Sequence, residues 1–194
     1  MIVVHTMGKV GSVAVYKTLK AAGYDALHVH YLTGQPLKDE EMARRIEKFK
    51  GTPRVITLIR EPVRRNVSSF FNLKAANKLD SPYFGHYSHD IPLVFLDKEI
   101  KGYWGVDVYR EPFNKAKGWQ IYDNVLLIRQ EDLRDAWNEA MFVFTGKRPP
   151  KLQEHNRTNV FGYSQFYNSI LLDTDYVERM HDSKYYRHFY GKDE

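Results

Sequence analysis

The chain has 194 residues, 43% of them apolar, which is enough for one substantial core and defines a single domain spanning 1–194. Its 29 Lys and Arg against 24 Asp and Glu give a net charge of +5, a mild preference for anionic ligands that is too scattered to indicate nucleic acid. Cysteine is absent, which excludes disulfide and thiolate chemistry and agrees with a reducing, cytoplasmic setting, and no apolar run approaches the length of a membrane span.

Ile2 to Thr6 is a short β-branched run that predicts the first strand. A glycine-containing turn, Met7-Gly8-Lys9-Val10-Gly11, leads into a helix-compatible stretch from Ser12 to Ala22 that Gly23 closes. No signal or anchor segment is expected ahead of this strand. Asp25 to Leu32 alternates as a second strand should. Pro36 to Phe49 has a proline near its start, acids early and bases late, the charge order that a helix dipole favours. Arg54 to Ile59 is a nearly continuous apolar run of the kind found in buried parallel strands. After Arg60-Glu61-Pro62 a polar helix is predicted through about Leu79.

Asp80 to Gly118, rich in Tyr, His, Gly and Pro, reads as short helices mixed with loops that shape a substrate site. Within Trp119 to Arg129 the later half predicts another buried strand, followed by a helix from about Glu131 to Thr145 that Gly146 ends, and a last helical region near Asp175 to Tyr190. Alternating strands and helices predict a three-layer, P-loop-like α/β fold with a central, mostly parallel sheet flanked by helices, and ligands beyond the carboxyl ends of its strands.

Two segments carry chemistry. Glycines at Gly8 and Gly11 open a helix, so backbone N–H groups approach an anion closely while Lys9 adds a full charge and Ser12 a hydroxyl. The spacing is not GxxxxGK followed by Ser or Thr, because Lys9 precedes Gly11-Ser12 by two residues; ATP with magnesium is disfavoured and no metal is expected. In the second segment Arg60 stands at the carboxyl end of a buried strand and Ser68 about two helical turns later, a pair suited to grip one phosphate. Arg64 and Arg65 read as a solvated helix face.

The first segment resembles the 5′-phosphosulfate loop of sulfotransferases, Lys-x-Gly followed by two hydroxyl residues. The second, from Arg60 to Phe71, is similar to their 3′-phosphate motif, in which Arg-x-Pro begins and a Ser follows at the same eight-residue distance. Val125 to Leu133 is similar to the family's Leu-x-Arg-Tyr-Glu-Asp-Leu turn, with Gln130 in place of Tyr. The Met-Gly-Lys-Val-Gly-Ser variant and the small size look most similar to bacterial capsule or polysaccharide-associated sulfotransferase-like proteins.

The resemblance implies 3′-phosphoadenosine 5′-phosphosulfate (PAPS) as donor, adenosine 3′,5′-bisphosphate (PAP) as product and a sugar or polysaccharide hydroxyl as acceptor. Gly8, Lys9, Val10, Gly11, Ser12 and Val13 would line the donor, with Lys9 at the bridge between phosphate and sulfate and the N–H groups of Gly11, Ser12 and Val13 on the 5′-phosphate. Arg60 and Ser68 would bind the 3′-phosphate. Arg157, beside Asn156 on a loop that in relatives folds over the nucleotide, would add a charge. Val13 departs from the pattern, since many relatives carry a second Ser or Thr there.

Transfer to an alcohol needs a base. Alternation puts His28 and His30 on one face of the second strand, and His30, nearer its carboxyl end, is the first choice. His28 and, in the irregular segment, His86, His89 and Asp90 are the other candidates; two histidines without a third ligand do not make a metal site. The alternative functions are a non-catalytic nucleotide- or polyanion-binding module of the same fold and, less favoured, a P-loop kinase acting on a small metabolite.

Overall fold

The computed structural model describes residues 1–34, 39–75, 89–153 and 172–192. Four strands and their connections follow the expected order. β1 (Ile2–His5) is buried along its whole length. α1 (Ser12–Ala21) ends where Gly23 turns left-handed, φ 78°, and its N–H returns to the Lys20 carbonyl at 3.0 Å. β2 (Ala26–Val29) and α2 (Glu40–Glu47) follow, the latter with Glu40 and Glu41 in its first turn and Arg44 and Arg45 in its last. β3 (Arg54–Ile59) leads to α3 (Pro62–Ala75), with proline in the first turn, where no intrahelical N–H bond is lost.

A continuous helical rod comes next, made of α4 (Ile91–Phe95), a π-helical stretch (Leu96–Lys101) and α5 (Gly102–Trp104), and it stops at the left-handed Gly105, φ 73°. β4 (Trp119–Tyr122) and β5 (Val125–Arg129) precede α6 (Leu133–Thr145). Two short helices, α7 (Thr174–His181) and α8 (Lys184–Phe189), are capped by the side chains of Asp173 and Ser183.

The strands form one five-stranded sheet in the order β2-β1-β3-β5-β4. β1 runs parallel to both β2 and β3, β3 is parallel to β5, and only β4 is antiparallel, paired with β5. Period-two alternation sorts the helices. Val15 and Leu19 of α1 pack with Ile2 and Val4, whereas Ala43 and Ile46 of α2 pack with Val3, Leu27 and Val29 on the other face. Full burial of each such aliphatic side chain contributes about 1.5–3 kcal/mol.

The expected mostly parallel α/β sheet flanked by helices is therefore present, with two differences in its strands. The second strand stops at Val29, so His30 lies just beyond it. The later half of Trp119 to Arg129 is the expected strand, β5, but the first half adds β4, and Asp123, φ 52°, turns the two into a hairpin. The helical rod just described lies in the segment from Asp80 to Gly118, where short helices mixed with loops were expected, and two helices form the expected last helical region. Residues 35–38 and 76–88, parts of two predicted helices and of the irregular segment, lie outside the described residues. Among those described, no helix is long and apolar enough to cross a membrane.

Candidate active site

From β1 the chain passes first to β2 on one side and later to β3 on the other, so the loops that leave β1 and β3 flank the point where strand order reverses. The first of these loops takes left-handed backbone at Lys9, φ 72°, and Gly11, φ 84°. Gly11 is the N-cap of α1, has no side chain to cap it, and no acid stands in the first turn. The opening N–H groups of the helix therefore carry partial positive charge that no carboxylate of that first turn offsets. A Cβ at Gly8 would meet nothing within 4 Å, whereas one at Gly11 would come within 3.6 Å of Gln130. Val10 is fully buried, so its side chain is core and only its backbone faces the loop, and Val13 is half-buried on α1.

Arg60, the first residue after β3, joins this loop. Its Nη1 donates to the Lys9 carbonyl at 3.1 Å, and its enclosed Nε has no hydrogen-bond partner among the described residues. Tyr185 of α8 fixes the Arg60 backbone: the phenol accepts from Arg60 N–H at 3.1 Å and donates to Arg60 C=O at 2.8 Å. Arg65 corrects the sequence reading, since only Arg64 is exposed. Arg65 is 2% exposed and donates from Nε to the Gly8 carbonyl at 3.1 Å and from Nη1 to Asn66 at 2.9 Å. Asn72, two turns beyond Arg65 on α3, accepts from Lys9 Nζ at 3.1 Å. Ser68, buried, falls on the same helical stripe between them. Burial, then Arg60, then Arg65 hold the Lys9 ammonium below the ordinary lysine pKa.

The histidines lie on the opposite flank of the loop. Ser12 is 4% exposed, and its hydroxyl shares a 2.9 Å hydrogen bond with His28 Nε2. The His28 ring stacks on Tyr16 and meets the edge of His30 at 4.7 Å between centroids. Burial foremost, then His30, push the His28 pKa down to about 4 against the opposing pull of Asp39, so the imidazole is neutral at physiological pH.

His30 Nδ1 donates to the Thr6 carbonyl at 2.6 Å, so Nε2 is the ring nitrogen not engaged there. Asp39 accepts from the backbone N–H groups of His30 and Tyr31 at 2.8 and 3.0 Å. Beneath this turn Glu99, from the π-helical stretch, accepts from Leu32 N–H at 2.7 Å, Thr33 N–H at 3.1 Å and the Thr33 hydroxyl at 2.6 Å. Its Oε2 lies 3.3 Å from His5 Nε2, and Trp104 Nε1 donates to the other nitrogen of that fully buried ring at 2.9 Å.

Thus Gly8, Lys9, Val10, Gly11, Ser12, Arg60, His28 and His30 lie together beyond the carboxyl ends of β1, β2 and β3, and Ser68 lies buried on the α3 stripe that carries Arg65 and Asn72. His89 does not belong to that group: it packs on Tyr176 at 4.5 Å, and its carbonyl accepts from Asn66, at the contact of α3 with α7. Asp90 is exposed at the start of α4. His86, Asn156 and Arg157 lie outside the described residues.

No family model, no curated protein and no solved structure matches this chain.

Arg65, Asn72, Tyr185 and Glu99 were not legible as site residues in the sequence. Arg65 and Asn72 do share the i, i+7 stripe of Ser68, and that periodicity is the one signal that pointed to them.

Proposed function

We propose that this chain is a cytoplasmic sulfotransferase of three-layer, P-loop-like architecture that takes its sulfuryl group from PAPS and passes it to a hydroxyl of a sugar or polysaccharide. The observation that carries this reading is the contact of Arg60 with the Lys9 carbonyl at the strand switch point, which joins two cationic segments of matching motif order into one cradle.

The residues present suit a donor with two phosphate-type groups: an uncapped helix start, Lys9, a Ser12 hydroxyl, and an enclosed Arg60 Nε with no partner among the described residues. When bound, PAPS supplies a sulfuryl group whose sulfur accepts the acceptor oxygen while the bond from sulfur to the bridging oxygen breaks, releasing PAP. Lys9 neutralises charge that develops on that bridging oxygen. Ser12 and the N–H groups opening α1 hold the 5′-phosphate, and Arg60 with Ser68 the 3′-phosphate. His30, through its free Nε2, takes the acceptor proton.

Calorimetry with PAP and with ATP plus magnesium, beside a transfer assay on glycan acceptors, tests the reading. Expected are PAP binding stronger than ATP binding and sulfation that His30→Ala abolishes while PAP affinity falls by less than about tenfold. Stronger magnesium-dependent ATP binding would point to the kinase alternative and overturn the reading. One feature favours a module without turnover: Lys9 Nζ, Arg60 and Ser12 each already have an intramolecular partner. PAP binding with no transfer to any acceptor would support that second reading.

A further inference from the structure

The loop lacks a second hydroxyl because Val13 occupies the place where one would stand, yet a donor group reaches it from another element. His28, on β2, comes within 2.9 Å of the Ser12 oxygen and is held there by stacking on Tyr16 of α1 and by the edge of His30. A hydroxyl in such a pair has two states. If Ser12 O–H donates to a bare Nε2, its proton is spent on the ring and cannot serve an anion. If Nε2–H donates to the Ser12 oxygen, the serine proton is released to point into the loop.

Building on the donor site proposed above, we infer that His28 is a positioning residue that aims the Ser12 hydroxyl at the 5′-phosphate, and that filling the loop with a phosphate-type dianion draws a proton onto the imidazole. A protonated ring can only donate, so it locks the productive state of Ser12 and adds a cation behind it. The ionisable groups facing His28 are Tyr16 on α1, His5 on β1, His30 beyond the end of β2, and Asp39 ahead of α2. In the free protein burial and the neighbouring imidazoles keep the ring neutral, which leaves a vacancy for the proton that an incoming dianion stabilises. Binding and proton uptake are then linked.

The test is titration calorimetry with PAP near pH 7 in two buffers of different ionisation enthalpy, on the wild type, His28→Gln and His28→Leu. Gln retains an N–H at the reach of Nε2 but cannot titrate; Leu has neither property. The wild type should take up a measurable fraction of a proton more than His28→Gln. That difference cancels the ligand's own phosphate titration, with a pKa of about 6, and any contribution of His30, present in both. His28→Gln should bind within about threefold of the wild type, and His28→Leu about 5- to 10-fold more weakly, the loss expected for one hydrogen bond near 1 kcal/mol. Equal proton uptake by the wild type and His28→Gln would overturn the inference while leaving the donor site intact. Absence of PAP binding by the wild type would overturn both.

Discussion

Lys9→Met removes one charge from the cradle and keeps the length of the side chain, and its effects on stability and on binding should separate. On the stability side, the hydrogen bond from Nζ to Asn72 at 3.1 Å is exposed and is worth about 0.5–1 kcal/mol. Opposing that loss is relief of the crowding with Arg60 and Arg65, which together with burial depresses the Lys9 pKa. A base with a lowered folded-state pKa is charged at a cost in the native state. The unfolded chain binds more protons in the window between the lowered value and the ordinary lysine value, and wild-type stability rises with pH across it. That rise should vanish in Lys9→Met.

At neutral pH the two effects offset, and the melting temperature should move by less than about 4 °C, the shift that 1 kcal/mol produces in a chain of this size. Binding has no such compensation. Losing a charge-assisted contact of about 1.5–3 kcal/mol should weaken PAP roughly 10- to 150-fold. Differential scanning fluorimetry and calorimetry on one preparation read both quantities. A fall in melting temperature beyond about 8 °C would mean that Lys9 holds the loop together, and an unchanged PAP affinity would refute its place at the donor.

Two further perturbations test the scaffold. Tyr185→Phe leaves the Arg60 N–H and C=O without their phenol partner. It should cost about 2–3 kcal/mol, lower the urea midpoint, and weaken PAP binding because Arg60 is no longer fixed. Glu99 tests pH dependence: burial pushes its pKa up, but His5, Thr33 and the Leu32 N–H outweigh this and leave it below the ordinary carboxylate value. Its contribution should be complete above that ordinary value, about 4.3, and lost as pH falls through the lowered one. Urea midpoints of wild type and Glu99→Gln should therefore differ most near neutral pH and converge in acid; a constant gap would refute the charge assignment.

Strands and helices set by local pattern were legible. β3 is a nearly continuous apolar run, and α1 and α6 are closed by glycines that adopt the left-handed conformation such closures require. What escaped was decided by partners far away in sequence. Alternation continues through His30, but the N–H groups of His30 and Tyr31 are taken by Asp39 instead of a neighbouring strand, so β2 ends earlier than its pattern. The hairpin was hidden because Asp123-Asn124 lacks the glycine that usually announces a tight turn. Arg65 looks solvated on its own helix, but there it donates to the carbonyl of Gly8, a residue from a distant loop, and it is buried. The cradle's first layer, Lys9, Ser12 and Arg60, could be named from motif spacing; the groups that hold it could not, because each belongs to another element.

The phenol clamp on Arg60 has a bearing on biosynthesis. The two residues are 125 positions apart, so at a ribosomal rate of about 5–20 residues per second the arginine emerges several seconds, on the order of 6–25 s, before the tyrosine that anchors it. In a nascent chain the carboxyl rim of β1 and β3 would exist while the proposed anion cradle stayed loose. Ligand capture would then report completion of the C-terminal helices, and premature termination ahead of α8 would yield a chain with the motifs intact and the grip missing.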